Sequence, residues 1–188
     1  MRTFIAIPLS NEIKQELSKI QSEFKQTNAD VKWVEPENIH LTLKFLGEVT
    51  EEFLPKVKDA LTKAISGFKS FEISISGIGA FPKLDYPRAI WVGIEKGKDE
   101  TKSIAEKLED ELEKLGFARE EREFSAHLTI GRVKSSKNKE ALKKILLTTA
   151  GQQLTTDSQK VSSITLYQSK LSPHGPTYAT LHEAKLLS

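Results

Sequence analysis

The chain reads as an α+β protein with mainly antiparallel sheets, built as a duplicated unit, and three observations predict this. Strand-like runs of alternating apolar residues outnumber amphipathic helices. Neighbouring runs lie close enough for hairpins, as across Ile78–Tyr86 with Gly79, Pro82 and Asp85 between them. The order of elements also recurs. After a first strand come helix, strand, helix, strand, strand, and then the same set again.

Taken in order, residues 2–8 form the opening strand. A helix over 11–26 follows, with Ile13, Leu17, Ile20 and Phe24 on one stripe. Strands are expected over 31–35 and 38–46, where Ile39, Leu41, Leu43 and Phe45 alternate. The second helix, over 51–66, places Leu54, Val57, Leu61 and Ile65 together and stops at Gly67. Pro55 belongs in a first turn, so this helix should start later than Thr50 suggests. Strands over 71–80 and 88–95 lead to a helix over 100–115, capped by Asp99 and terminated by Gly116. A strand over 122–133, a helix over 139–149 and strands over 161–169 and 177–186 complete the chain.

Composition narrows the chemistry. A length of 188 residues suits one domain or two small lobes sharing a core, and 38% hydrophobic residues suffice for that core. Without cysteine, disulfides, thiolate zinc sites and thiol nucleophiles are excluded. The apolar run in Met1–Pro8 is too short for a signal peptide, and no window approaches the ~20 apolar residues of a spanning helix. A soluble cytoplasmic protein is expected. The net charge of +2 hides a split: from Ile130 onward nine Lys/Arg face three Asp/Glu, so the preceding part is net acidic. Such a basic portion suits a polyanion-facing surface, or solvated lysines.

Only four histidines are available for imidazole chemistry, and two sit in matched motifs, His40-Leu41-Thr42 and His127-Leu128-Thr129. The offsets to the elements that follow agree between the two copies. In a strand, residues i and i+2 share a face, so each His stands beside its Thr, opposite an apolar row. A pseudo-two-fold duplication brings both pairs to one central cleft. Two imidazoles there suit general acid–base catalysis, one taking a proton while the other gives one. The hydroxyls of Thr42 and Thr129 suit hydrogen bonds to non-bridging phosphoryl oxygens. Together these are the needs of phosphodiester cleavage, with no metal required. Neither motif has a second His or carboxylate at ligand spacing for zinc, and no G-x-S-x-G elbow or Gly-rich phosphate loop is present.

These motifs, with Asn38-Ile39-His40-Leu41-Thr42-Leu43-Lys44-Phe45-Leu46-Gly47 and His127-Leu128-Thr129-Ile130-Gly131-Arg132-Val133-Lys134, resemble the paired H-x-T-x motifs of the 2H phosphoesterase superfamily. Within it the chain is most similar to the RNA 2′,3′-cyclic phosphodiesterases, also called 2′-5′ RNA ligases. The similarity runs from Arg2-Thr3-Phe4-Ile5-Ala6-Ile7 through Leu115-Gly116-Phe117 to the segment 169–178. The resemblance implies one domain over 1–188 made of two intertwined lobes, with sheets lining a central groove and helices outside. It implies hydrolysis of RNA 2′,3′-cyclic ends to 2′-phosphomonoesters, with His40 as proton donor and His127 as proton acceptor. Reverse 2′-5′ ligation would need no nucleotide cofactor. The implied partner is RNA with a cyclic phosphate end, transfer RNA fragments among the candidates; no membrane or obligate protein partner is expected.

Other residues read as follows. Arg132 is a candidate contact for the anionic RNA end, provided a bulge or twist turns it to the face of His127. Lys44 is a second candidate, on the face of His40 and Thr42. Phe45 is read as core, and Trp33 and Trp91 as packing anchors. His174 falls in a turn near the groove, and His182 is structural or exposed. Two other functions stay open: a 2H enzyme acting on a small cyclic nucleotide, and a non-catalytic RNA-binding module.

Overall fold

The structure, a computed structural model, describes residues 1–150 and 158–188. Strand β1 (Arg2–Ile7) leads to α1 (Asn11–Lys25), whose first turn is capped by Ser10 Oγ accepting from the Ile13 amide at 3.3 Å. A short β2 (Val31–Trp33) and a 3₁₀ turn (Pro36–Asn38) precede β3 (Leu41–Glu48). Helix α2 (Leu54–Ile65) has Pro55 in its first turn, as its fixed φ and missing amide require. Strands β4 (Phe71–Ile73), β5 (Ile75–Lys83) and β6 (Tyr86–Ile94) come next, then α3 (Lys98–Glu113) and β7 (His127–Val133). Helix α4 (Lys139–Thr149), β8 (Gln159–Val161), β9 (Ser163–Ser172) and β10 (Gly175–Lys185) end the chain.

Several boundaries differ from expectation; the strand expected over 38–46 runs Leu41–Glu48, and the one expected over 161–169 is split at Ser162. Asp99 does not cap α3; Gly97 does, at φ +83, and its carbonyl accepts from both the amide and the hydroxyl of Thr101. A Cβ at Gly97 would meet the Glu72 carbonyl oxygen at 2.3 Å, so the close approach of β4 as well as the backbone angle requires glycine. The run 71–80 is two strands, broken at Ser74, and β4 pairs with β8 in a separate ribbon. Residues 122–126 lie outside β7, which starts at His127 itself.

The strands form two four-stranded sheets, in the orders β10-β9-β1-β3 and β2-β7-β6-β5, with antiparallel pairing throughout. Each sheet joins one motif-bearing strand to a hairpin from the other half of the chain. β3 lies in the sheet that takes β9–β10, and β7 lies in the sheet that takes β5–β6. β3 is an edge strand beside β1, whereas β7 lies between β2 and β6.

Helices α2 and α3 back the first sheet; α1 and α4 back the second. The main core lies between sheets and helices, with Ile5, Ile7, Leu41 and Leu166 from one sheet and Ile90, Val92, Leu128 and Ile130 from the other. Phe4, Ala6 and Tyr167 form a separate small cluster on the opposite face of the first sheet, with Tyr178 against it. Among the described residues no helix is long and apolar enough to cross a membrane.

Candidate active site

Strands β3 and β7 touch where the two sheets meet, so the two H-x-T motifs lie on strands in contact. Their histidines are held alike. His40 Nδ1 lies 3.0 Å from the carbonyl oxygen of Asn38, and His127 Nδ1 lies 2.7 Å from that of Ser125. A carbonyl only accepts, so Nδ1 carries the hydrogen in both rings. That leaves Nε2 of each neutral imidazole with a lone pair and no proton, ready to take one and later return it. Both carbonyls belong to the residue two before the histidine. A backbone carbonyl has no side-chain signature, which is why sequence reasoning missed them.

Each ring also rests on aromatic side chains. His40 lies among Phe4, Tyr167 and Tyr178, with centroids 6.0, 4.7 and 5.3 Å away. His127 meets Phe81 at 5.1 Å and Trp91 at 6.2 Å. Burial pushes the pKa of His40 down; the Lys14 charge adds to that, and the bond to Asn38 opposes it. The same burial raises the pKa of Tyr167 and of Tyr178, keeping both as neutral phenols. Asn38 does double duty, since its side-chain amide donates to the Pro176 carbonyl at 3.0 Å and ties the His40 turn to β10.

Thr42 and Thr129 are both half-buried, and among the described residues neither hydroxyl has a hydrogen-bond partner. Immediately after each threonine the strand bulges. Ile5 pairs with Lys44 but Ala6 with Thr42, so Leu43 is the extra residue in β3. Ile90 pairs with Gly131 but Trp91 with Thr129, so Ile130 is the extra residue in β7. A bulge inserts one residue and reverses the face of all that follow. The two strands thus break alternation at the same place.

The bulge brings Arg132 to the face of His127 and Thr129, opposite Ala89, and leaves it exposed. The equivalent bulge does the reverse to Lys44. It points Lys44 to the core side, where Nζ sits 2.9 Å from Glu109 and 2.7 Å from the Ala118 carbonyl, and the residue is 4% exposed. Lys44 therefore does not share the face of His40, and its expected substrate contact is corrected to a buried ion pair. Phe45 is corrected in the opposite sense. It is 68% exposed, stands opposite Phe4 at a ring distance of 6.0 Å, and occupies in β3 the place of Arg132 in β7. Trp33 packs on Phe24, and Trp91 lies over Gly79 beside His127. His174 is exposed in the β9–β10 turn, while His182 Nε2 meets Thr62 Oγ1 of α2 at 3.1 Å.

Comparison with known proteins also divides the chain into two matching halves. Residues 7–91 and 92–178 each match the family described as LigT like phosphoesterase. The chain belongs to the LigT-like phosphoesterases. It is 37% identical over 186 residues to the RNA 2′,3′-cyclic phosphodiesterase of Methanothermobacter thermautotrophicus, covering 99% of both chains. It is 39% identical over 172 residues to the protein of that name from Aeropyrum pernix, covering 92% of this chain and 96% of the relative. Among solved structures, TT0787 of Thermus thermophilus superposes with a TM-score of 0.80 at 27% identity, over 99% of this chain and 98% of the other. The apo form of Escherichia coli LigT shares the fold, with a TM-score of 0.75 at 23% identity, over 100% and 98%. The family expected from the paired motifs is thus the family matched. Among the described residues of this LigT-like phosphoesterase, no group of three or more His, Asp or Glu side chains is placed to hold a metal ion.

Proposed function

We propose that this phosphoesterase hydrolyses the 2′,3′-cyclic phosphodiester ends of RNA to 2′-phosphomonoesters, with His40 and His127 as its acid and base. The observation that supports this most is the duplicated constellation: an Nδ1–H held on a carbonyl two residues back, a free threonine hydroxyl, and a bulge after it. The substrate class comes from relatives bearing that name, which cover nearly the whole chain. Residues 1–188 act as one unit of two intertwined lobes, each bringing one motif to a common groove.

In the proposed step, Nε2 of His127 takes a proton from water as its oxygen bonds to phosphorus. The P–O3′ bond breaks, and Nε2–H of His40 supplies the proton that the departing O3′ needs. The hydroxyls of Thr42 and Thr129 donate to the non-bridging oxygens, where charge builds. Arg132 contacts the anionic RNA strand. Every proton transfer is met by a side chain of this chain, so the step uses neither a metal nor a nucleotide cofactor. With an RNA 5′-hydroxyl in place of water as the nucleophile, the same groups would form a 2′-5′ linkage as the P–O3′ bond breaks.

The test is incubation of chelator-treated protein with an oligoribonucleotide ending in 2′,3′-cyclic phosphate, followed by identification of the terminal phosphate. A 2′-phosphate is expected. Turnover of small cyclic nucleotides alone would move the protein to another 2H activity. RNA binding without hydrolysis, unchanged when both histidines are removed, would make it a binding module.

The pH profile tests the assignment of roles. An acid must be protonated, so His40 sets the alkaline limb. Burial holds its pKa below the ordinary imidazole value, so kcat/KM, which reports the free enzyme, should fall early as pH rises. A bound phosphoryl anion favours the imidazolium, so the alkaline limb of kcat should lie at higher pH. Coincident limbs would remove His40 as the acid.

A further inference from the structure

We infer that Lys14 of α1 acts on the reaction through His40, as the cation that fits this histidine rather than His127 to give up a proton. Its counterpart in the other half, Lys102, is neutralised by Glu123, and this difference separates the roles of two histidines that are otherwise held alike. The inference rests on the two-histidine reaction proposed above and gives its direction a cause.

The two lysines are equivalent by position. The buried stripe Ile13, Leu17 and Phe24 of α1 recurs at the same spacing as Thr101, Ala105 and Leu112 of α3, and Lys14 and Lys102 each follow its first residue. Lys14 shares a helix face with Gln21, two turns further on. Gln21 is buried and donates to the carbonyls of Val34 and Ile130, at 2.7 and 2.9 Å, so this face of α1 looks toward the exit of β2 and toward β7. The same helix packs on the 36–38 turn, whose Asn38 carbonyl holds His40. In α3 the place of Gln21 is taken by Glu109, turned in the same way to Lys44 of β3 and to the Glu120 amide.

What differs is the residue four places before each histidine. In the second half it is Glu123, whose carboxylate pairs with Lys102. In the first half it is Pro36, which has no charge to offer. Glu35 and Glu37 on either side of it are exposed, and among the described residues Lys14 has no ion-pair partner. Lys14 is half-buried, where a charge is screened less than in open water. The rings around His40, those of Phe4, Tyr167 and Tyr178, bring no charge of their own. Burial is the larger cause of the low pKa of His40 and the bond to Asn38 opposes it; the Lys14 charge adds to the lowering. Around His127, Phe81 and Trp91 are likewise uncharged, and the Lys102–Glu123 pair carries no net charge. Arg132 shares that face but lies exposed beyond Thr129, where water screens it. A cation beside an imidazolium favours loss of its proton. His40 is therefore the readier donor, which is what the departing O3′ requires.

The experiment measures the pH dependence of kcat/KM on a cyclic-phosphate-ended oligoribonucleotide and, in parallel, the titration of the His40 ring by NMR, which needs no turnover. Lys14→Met should raise the alkaline limb and the His40 titration together, by about half a pH unit, the scale of one partly screened charge. Lys14→Arg keeps the charge and should leave both in place. Glu123→Gln frees the Lys102 ammonium on the side of the second motif and should move the acidic limb to lower pH by a similar step. Lys102→Met/Glu123→Gln removes both charges and should restore that limb. A lysine with a merely structural role would change the melting temperature and move neither limb. An unmoved alkaline limb in Lys14→Met, or an equal rise in Lys14→Arg, overturns the inference for His40. An unmoved acidic limb in Glu123→Gln overturns the contrast with Lys102. If the His40 titration rises in Lys14→Met yet the unaltered protein hydrolyses no cyclic end, the proposed reaction falls and the effect of Lys14 on His40 stands.

Discussion

Replacing either His40 or His127 by alanine is expected to lower hydrolysis of a 2′,3′-cyclic phosphate end by about 10²–10⁴-fold, the usual worth of a positioned general acid or base. Both rings are fixed through Nδ1 to a carbonyl, so each presents one nitrogen in one direction. Alanine removes that nitrogen, and no other imidazole stands by: His174 is in an exposed turn and His182 is engaged with Thr62. The double variant should be little worse than either single one, because an acid without its base no longer completes the step. Thr42→Ala and Thr129→Ala should each slow the reaction by about 2–3 kcal/mol, the scale of a lost oxyanion donor, and their effects should fall on kcat. Steady-state kinetics with thermal denaturation of each variant checks this. Unfolding at unchanged temperature with lost turnover is the expected pattern for His127, whose ring contacts lie at the sheet surface. His40 is packed by three aromatic rings, so its alanine variant should also lose some stability. Turnover within tenfold of the unaltered protein for both variants would remove the two-histidine mechanism.

How far the site is legible in the sequence follows from one physical limit. Alternation with period two identifies the face of His40 and Thr42, and of His127 and Thr129, because nothing interrupts the pleat between them. It fails one residue later. Leu43 and Ile130 are apolar residues in apolar strands, and nothing in their identity says that a bulge adds them to the core side. Strict alternation therefore puts Lys44 and Phe45 on each other's face, while Arg132 requires a bulge that the structure does contain. The order of elements is legible for a different reason, since each helix stripe and each hairpin is local. Which hairpin joins which motif strand is not local: the exchange of β5–β6 and β9–β10 between the sheets involves pairings of high sequence separation. The start of α3 is misread because an aspartate is the commoner cap, whereas contact with β4 selects Gly97.

The corrected place of Lys44 leads to the second large effect, on stability. Its ammonium is surrounded by both oxygens of Glu109, at 2.9 and 3.1 Å, the Ala118 carbonyl at 2.7 Å and, more distantly, Glu120 at 3.6 Å. The Glu109 carboxylate in turn accepts from the Glu120 amide at 3.3 Å, and its side chain is 15% exposed. Removing one partner of a buried pair leaves the other desolvated and uncompensated, which typically costs about 3–5 kcal/mol. Lys44→Met should fall near the lower end of that range, because Glu109 keeps some access to water. That is a large share of a total stability of about 5–15 kcal/mol. Removing both charges should hurt less than removing one. In Lys44→Met/Glu109→Gln the amide oxygen still accepts from Glu120, no bare carboxylate remains, and more than half of the lost stability should return. The same contacts hold the segment 118–120, and Ser125 further along orients His127, so the single variant should also turn over more slowly, with the double variant recovering. Urea denaturation and kcat of the two variants decide the matter. A loss below about 1 kcal/mol in Lys44→Met, far under the cost of a bare buried charge, with a raised KM and intact kcat would return Lys44 to the substrate face. A double variant no more stable than the single one would refute the buried pair.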